Sequence, residues 1–306
     1  MDQKRIVLAG GSGFIGRALT TELLARNYTV VIFTRSPRSR PDAAITEVAW
    51  DGENVGAWSK HLDGAEAVVN LSGQNINCPH TPENLRAITA SRVNSVRAIA
   101  KAISQIARPP RIWVQASAVG FYGDTGERVC DETTPAGTGS LAEICREWEN
   151  AFNSAVALKT RKVVLRIGFV LGRDGGALPV LSRLTRFFLG GAAGSGRQFI
   201  SWIHLSDLTR MFIEAIECES SAGTFNAVAP DPVTNAEFMR KLRRAWHRPW
   251  SPPAPELAVR LGSWLLKSEA SLALTGCRAV PQRFLDGNFK YQFAKLPAAL
   301  EDLCGD

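Results

Sequence analysis

One segment near the start of the chain, Gly10-Gly11-Ser12-Gly13-Phe14-Ile15-Gly16, constrains the fold more than any other. It follows Arg5-Ile6-Val7-Leu8-Ala9, a short apolar run. It leads into Arg17 to Arg26, where Leu19, Leu23 and Leu24 fall at helical spacing. Tyr28-Thr29-Val30-Val31-Ile32-Phe33 then reads as a second strand. Strand, glycine turn, helix and strand within about thirty residues form a βαβ unit. The glycines let the backbone turn tightly and approach a pyrophosphate, and the helix N-terminus supplies amide donors and a partial positive charge.

The alternation continues downstream. Ala65 to Leu71 reads as a strand, and Thr81 to Ala107 as a long helix stopped by Pro109-Pro110. Arg111 to Ala116 is a strand, Leu141 to Leu158 a helix, and Lys162 to Ile167 a strand. Nearly all-apolar strands separated by helices predict an α/β fold with a doubly wound, parallel Rossmann sheet covered on both faces. The pattern breaks at Gly172, and residues 172–200 hold seven glycines. Ser201-Trp202-Ile203-His204 opens a helix over Asp207 to Ile216. Four prolines between Arg248 and Pro255 read as a crossover, followed by a mostly helical tail and a last strand near Phe289. The expected organisation is a Rossmann domain at 1–172, to which 201–229 returns, and a smaller, mostly helical C-terminal substrate domain made from 173–200 and 230–306.

Composition narrows the function. With 45% hydrophobic and 21% charged residues, the 306-residue chain is ordinary for a globular protein. No run approaches the ~18 apolar residues of a membrane span, and the N-terminus lacks the long apolar core of a signal peptide. We expect a cytoplasmic protein with no membrane partner. The six cysteines show no metal-ligand spacing with each other or with the four histidines, so no metal site is expected. A net charge of +7 from 36 Lys+Arg and 29 Asp+Glu is too thin to argue nucleic acid. The cluster Arg240-Lys241-Arg243-Arg244-Arg248 reads as the solvated face of a helix.

The second strand ends at Phe33-Thr34-Arg35, with Arg38 and Arg40 close behind. An NAD site usually places a carboxylate here for the ribose 2′-hydroxyl. This chain has none, and Arg suits a 2′-phosphate through charge-assisted bidentate bonds. The expected cofactor is therefore NADP(H).

These motifs resemble the extended short-chain dehydrogenase/reductases of the NAD-dependent epimerase/dehydratase superfamily. Within them the chain is similar to atypical YfcH-like epimerase-family proteins, which carry a small C-terminal domain of unknown function. The matching segments run the whole length. They include Thr34-Arg35, Val69-Asn70-Leu71-Ser72-Gly73, Ser91-Arg92, Ser117-Ala118-Val119-Gly120-Phe121-Tyr122-Gly123 and Trp148-Glu149. Leu165 to Gly172, Gly194-Ser195-Gly196-Arg197-Gln198, Ser201-Trp202-Ile203-His204, Asp207 and Asn226-Ala227-Val228-Ala229-Pro230 follow. The resemblance implies cofactor contacts from Gly10, Ser12, Gly13, Phe14, Ile15 and Gly16, with Thr34 and Arg35 at the adenosine ribose phosphate. Leu71 and Ser72 would pass the cofactor, Arg92 would reach it from the long helix, and Val170 would line the nicotinamide side. One segment departs from the family: Cys78-Pro79-His80-Thr81 stands where relatives carry Arg-Trp-Thr.

A working enzyme of this kind uses a Ser or Thr together with a Tyr and a Lys four residues apart on one helix face. The chain has three tyrosines, and only Tyr291 is followed at that spacing by a lysine, Lys295, far from the expected site. Alignment on the family helix puts Leu141 and Cys145 at the Tyr and Lys positions, and Ala118 at the Ser/Thr position. The remaining catalytic candidates are Ser117, at the carboxyl end of its strand, and Tyr122. Glu143, Glu147 and Glu149 read as a solvated helix face, and His204 as a general base or a structural hydrogen-bonding residue. The glycine-rich 190–198 segment, with Arg197 and Gln198, reads as a cover for an anionic or sugar-like substrate. Two functions follow: an NADP(H)-dependent oxidoreductase or nucleotide-sugar epimerase-like enzyme with an unknown small-molecule substrate, or a non-catalytic NADP(H)-binding redox sensor or scaffold.

Overall fold

The structure is a computed structural model that describes residues 4–39, 42–265 and 267–305. Arg40 therefore lies outside the described residues. The glycine turn joins β1 (Arg5–Ala9) to α1 (Phe14–Ala25), and β2 (Thr29–Thr34) completes the unit. β3 (Ile45–Ala49), β4 (Ala67–Asn70), α2 (Pro82–Ile103), β5 (Ile112–Ala118), β6 (Val129–Cys130) and α3 (Ser140–Ser154) follow. Next come β7 (Arg161–Ile167), β8 (Phe169–Leu171), α4 (Leu178–Arg186), β9 (Phe199–Ile200), β10 (Trp202–His204), α5 (Leu205–Glu217) and β11 (Gly223–Ala227). The chain ends with β12 (Val233–Thr234), α6 (Asn235–Ala245), α7 (Glu256–Leu265), α8 (Ser271–Leu274), β13 (Arg278–Ala279), α9 (Gln282–Asp286) and α10 (Leu296–Cys304).

Seven of the strands form one sheet in the order β11-β7-β5-β4-β1-β2-β3, every pairing parallel. The apolar strands explain why. Ile6, Val7, Leu8, Val68, Val69 and Val114 are wholly buried, which requires cover on both faces. Two helix pairs, α1 with α5 and α2 with α3, supply it. At one edge Phe33, Trp50 and Trp58 pack with ring centroids 5.1–5.7 Å apart, closing the core beneath β3. Each buried side chain of this size contributes about 1.5–3 kcal/mol.

Two strands of the sheet escape a reading by apolar runs. β3 lies at the edge with an alternating, half-exposed pattern, and β11 opens on a glycine and a threonine. Ser201–His204 does not itself open a helix. Trp202 to His204 pair with β8 as a strand, and the His204 side chain then caps α5 by accepting from the Ser206 amide at 3.1 Å. The strand expected near Phe289 is absent. Phe289 instead sits in an aromatic chain, 5.3 Å from Phe284 and 5.0 Å from Tyr291, so its burial is satisfied by ring packing without a β partner.

Asp207, wholly buried on α5, holds this tail in place. Its two carboxylate oxygens accept from the backbone amides of Gln292 and Phe293, each at 2.8 Å, and it pairs with Arg210 at 3.1 Å. Asp207→Ala should cost about 2–4 kcal/mol in urea unfolding, because two buried amides lose a charged acceptor. The 288–305 segment should become the first site of limited proteolysis. Unchanged stability together with a protected tail would contradict this account.

Candidate functional site

The phosphate turn is built by three glycines with different reasons to be glycine. Gly10 has φ of +76°, and a Cβ there would stand 3.1 Å from the Leu71–Ser72 backbone. A Cβ on Gly16 would meet the Gly11 carbonyl oxygen at 2.4 Å, so this glycine lets α1 press against the turn. Gly13, the exposed N-cap of α1, is different: its absent Cβ would meet only the Gly10 carbonyl oxygen, at 3.4 Å. The space at Gly13 opens outward, beside helix amides that no side chain caps and no acidic residue neighbours. That is the arrangement an approaching pyrophosphate needs.

Neighbouring elements hold the turn. Gly10 donates to the Phe33 carbonyl at 3.0 Å, and Leu71 to the Ala9 carbonyl at 2.8 Å. Asn70, wholly buried, pairs in register with Gln115 and donates to it at 3.0 Å, while its own oxygen accepts from the Ser72 amide at 3.1 Å. Leu71 and Ser72 are thus fixed against Gly10. Ile15 packs on the core. The Phe14 ring fills a slot whose walls are glycine, since a Cβ at Gly172 or Gly175 would fall 2.5 or 2.4 Å from it. Val170 is half-buried on the strand that leads to this slot. Ser12 and Thr34 bring their hydroxyls to 3.4 Å across the turn, and Arg35 is exposed beside them with no ion pair to a described residue.

At the carboxyl ends of β5, β7 and β11 lies a polar network that the sequence reading did not assemble. Ser117, Arg166 and Asn226 are neighbours in register on the three strands. Ser117 Oγ donates to Glu149 Oε1 at 2.6 Å. Arg166 grips the same carboxylate with Nε and Nη2 at 2.9 and 2.8 Å, donates through Nη1 to the Tyr122 hydroxyl at 3.0 Å, and stacks 3.5 Å over the Phe121 ring. The Tyr122 hydroxyl faces the Asp131 carbonyl and Asn226 Oδ1, both at 2.8 Å. Every side chain in this network is at least nine-tenths buried. Glu149 is therefore not part of a solvated face, unlike the exposed Glu143 and Glu147. A charged residue inside the otherwise apolar run Val163 to Ile167 was the available signal, because a buried arginine needs a carboxylate.

Burial works against the Arg166 charge, but the Glu149 carboxylate outweighs it and holds the guanidinium proton more firmly than usual. Burial pushes the Tyr122 phenol up to about 12, against the pull of Arg166. With one proton, two acceptors and one donor around it, the Tyr122 hydroxyl is enclosed by protein.

Leu141 and Cys145 face Gly120, whose Cβ would lie 3.6 Å from Leu141 Cβ and 3.8 Å from Cys145 Sγ. Burial and the nearby Glu149 push the Cys145 thiol up to about 12, so it stays protonated. Arg92 reaches in from α2, donates to the Gln74 and Ile88 carbonyls at 3.0 and 3.2 Å, and lies 5.0 Å over the Trp148 ring. It pairs with no carboxylate among the described residues, and burial lowers its pKa. His204 is taken up as the α5 cap, 4.0 Å from the Phe293 ring and 3.3 Å from Asp302. Gln198 is likewise engaged, donating to the Ala193 and Ala273 carbonyls at 2.9 and 2.7 Å, whereas Arg197 is exposed. His80 ties its loop to the tail through its amide, which donates to Glu269 at 3.1 Å. Among the described residues no cluster of His, Cys, Asp or Glu could hold a metal ion.

Residues 6–227 match the model of the NAD dependent epimerase/dehydratase family, and residues 254–303 match the domain of unknown function DUF1731. The chain is 36% identical over 304 residues to the chloroplastic epimerase family protein SDR39U1 homolog of Arabidopsis thaliana, covering 96% of this chain and 85% of that one. It is 35% identical over 303 residues to epimerase family protein SDR39U1 of Homo sapiens, covering 98% and 99%. The crystal structure of the human protein (isoform 2) with NADPH superposes with a TM-score of 0.87 at 33% identity, covering 98% of this chain and 99% of that one. A nucleoside-diphosphate sugar epimerase from Corynebacterium glutamicum superposes with a TM-score of 0.80 at 30% identity, covering 99% of this chain and 59% of that one.

All three phenols are shifted upward from 10.0. Burial and Glu217 raise Tyr28, burial raises Tyr122 to about 12, and burial with Asp207 raises Tyr291. A raised folded-state pKa means that the stability contributed is intact below the unfolded value and is lost as pH climbs toward the folded one. Phenolate absorbance of the native protein should therefore lag that of the unfolded chain near pH 10, with Tyr122 contributing nothing until unfolding. Stability should fall between pH 10.0 and about 12. Native ionisation of Tyr122 at the unfolded value would contradict its enclosure.

Proposed function

Since the chain belongs to the NAD-dependent epimerase/dehydratase family of extended short-chain dehydrogenase/reductases, we propose that it binds NADP(H) in preference to NAD(H) and serves as an oxidoreductase or nucleotide-sugar epimerase-like enzyme. The observation that carries the cofactor preference is the end of β2. Arg35 is exposed there, beside Thr34, with no ion pair to a described residue, and no carboxylate follows from 34 to 39. An arginine so placed suits a 2′-phosphate, which an acidic residue would repel. The NADPH carried by the solved human relative supports the same preference.

The residues present fit the group. Gly10, Ser12, Gly13, Phe14, Ile15 and Gly16 form the turn that would hold the pyrophosphate, and Thr34 and Arg35 would hold the ribose phosphate. Leu71 and Ser72 would border the ribose, and Val170 the nicotinamide. When bound, NADPH supplies a hydride. Arg92 brings an unpaired positive charge toward Cys145, the position where family enzymes carry lysine, and in this reading it binds a ribose hydroxyl or an anionic substrate group. Ser117 and Tyr122 enter the reaction through Glu149 and Arg166 as positioning residues, with both hydroxyls turned to protein. A small-molecule substrate would lie under the 190–198 segment, with Arg197 as its anion-recognising side chain. Six free thiols suit the reducing cytoplasm.

The enclosure of Tyr122 also favours the second reading, a sensor or scaffold that holds NADP(H) without turnover. Titration with both cofactors and incubation of the NADPH complex with a panel of carbonyl compounds separate the two. Arg35→Ala should weaken NADPH about 10- to 100-fold, as expected for loss of a charge-assisted bond, and NADH hardly at all. Equal losses would remove the NADP(H) preference. Carbonyl-dependent NADPH oxidation that falls in Ser117→Ala or Tyr122→Phe supports the enzyme. Tight binding with no oxidation across the panel supports the sensor.

A further inference from the structure

The helix α7 is amphipathic with its faces reversed. Leu257, Leu261, Trp264 and Leu265 share one face by their spacing of four, three and one, and they are 57–78% exposed. The half-buried side is formed by Val259, Gly262 and Ser263, and no residue of the helix is buried. A helix selected only to pack on its own protein would carry its large apolar residues inward.

The same region shows more large apolar side chains in solvent. Phe187, Phe188, Leu189 and Trp250 are 48–71% exposed. Phe188 has φ of +61°, a left-handed conformation at a helix end where glycine would sit without strain. The chain keeps a phenylalanine there and points it outward. Contacts join these pieces. Arg248 stacks 5.1 Å over the Phe188 ring and donates to the Arg186 carbonyl at 3.2 Å, and Ala254, just before α7, exchanges backbone hydrogen bonds of 2.9 Å with Ala192 and Gly194.

The charge beside these side chains is mostly basic. Arg186 and Arg248 meet at Phe188, Arg183, Arg244 and Lys267 flank them in the chain, and the one carboxylate within 244–267, Glu256, is already paired with Arg260 at 2.7 Å. Next to Trp250 in the chain, Ser251 lines a cleft of about 500 Å³ with Arg240 and Arg243. Ser251 is 6% exposed, and its Oγ and Arg243 Nε are buried without a hydrogen-bond partner among the described residues. Glu237 also lines the cleft, but it is held by Lys241 at 2.8 Å and Arg240 at 3.8 Å.

We propose that this face docks the protein on an anionic phospholipid surface, with the Trp, Phe and Leu side chains entering the headgroup boundary and the arginines meeting lipid phosphates. Charge complementarity selects that occupant. Two copies of this face would bring their arginines together, whereas an acidic bilayer neutralises them while accepting protruding rings. Interfacial docking needs no spanning helix, and among the described residues no helix is long and apolar enough to cross a membrane. The expectation of no membrane partner weighed spanning segments alone.

Co-sedimentation of the full chain with phosphatidylcholine vesicles, with or without phosphatidylglycerol, tests the proposal. The protein should pellet with the anionic vesicles only, and salt should release it. Arg244→Ala should weaken partition about fivefold, and Trp264→Ser or Phe187→Ser about tenfold or more. These exposed positions should leave the thermal midpoint and NADPH affinity unchanged, so lost partition would not reflect a damaged fold. Equal pelleting with neutral vesicles, no pelleting with either, or a dimer in sedimentation equilibrium that Trp264→Ser dissolves would each overturn the proposal. Inorganic phosphate binding at Arg240 and Arg243 without vesicle binding would do so as well.

Discussion

The ion pair between Arg166 and Glu149 is the interaction on which the carboxyl end of the sheet depends. A guanidinium and a carboxylate removed from water cost several kcal/mol each, and only close geometry with further hydrogen bonds recovers that cost. The chain supplies both. Three bonds reach Glu149, two from Arg166 and one from Ser117, and the remaining Arg166 nitrogen reaches Tyr122. Because Ser117, Arg166 and Asn226 are in register, one polar row crosses three strands just where the sheet opens toward its ligand side. Asn226 then carries the row to the Val280 carbonyl at 2.9 Å, so the C-terminal region is fastened to the same row.

That row clarifies what became of the catalytic chemistry. The two hydroxyls that the residue inventory offered, Ser117 and Tyr122, are spent on the ion pair. Tyr28 and Tyr291 are spent too, on Glu217 at 3.2 Å and on the Val228 carbonyl at 3.0 Å. The phenols are thus structural hydrogen-bonding groups in this arrangement, and Lys295 of the lone Tyr-x-x-x-Lys pair is drawn off to Asp231 at 3.2 Å. Arg92 brings a cation from the neighbouring helix toward Cys145. Arginine keeps its charge under burial where lysine readily loses it.

How much of this could be read from residue order depends on the range of the interaction. The glycine turn is local: each glycine answers a steric demand made by residues within the same βαβ unit or by the adjacent Leu71–Ser72 backbone. The basic end of β2 is local as well. Glu149 and Arg166 are seventeen positions apart and meet only because α3 packs on β5, the neighbour of β7, so Glu149 looked like its exposed neighbours Glu143 and Glu147. β3 and β11 were hidden for a related reason. They lie at the two edges of the sheet, where half of the pattern faces solvent or another element and apolar runs do not form. Phe289 misled in the other direction, because an aromatic residue buried by ring packing has the same local appearance as one in a strand.

The phosphate turn and the C-terminal region are also mechanically joined. Phe14, the first residue of α1, is wedged among Gly172, Gly175 and Gly176, so the segment after β8 cannot leave without exposing that ring. The tail is pinned by Asp207 to residues 292 and 293, by Ser201 to Cys277 and Ala279, and by Gln198 to Ala273. The Asp207 and Ser201 ties bury polar atoms between the tail and the 201–229 segment. α7 lies between the crossover and these anchors and shares in none of them, and beside the half-buried Val259 its Leu257, Leu261, Trp264 and Leu265 stand exposed. Packing within the chain therefore does not account for those residues. The proposed docking would give that outer face its use, and the arginines beside Phe187 and Phe188 would limit what can meet it.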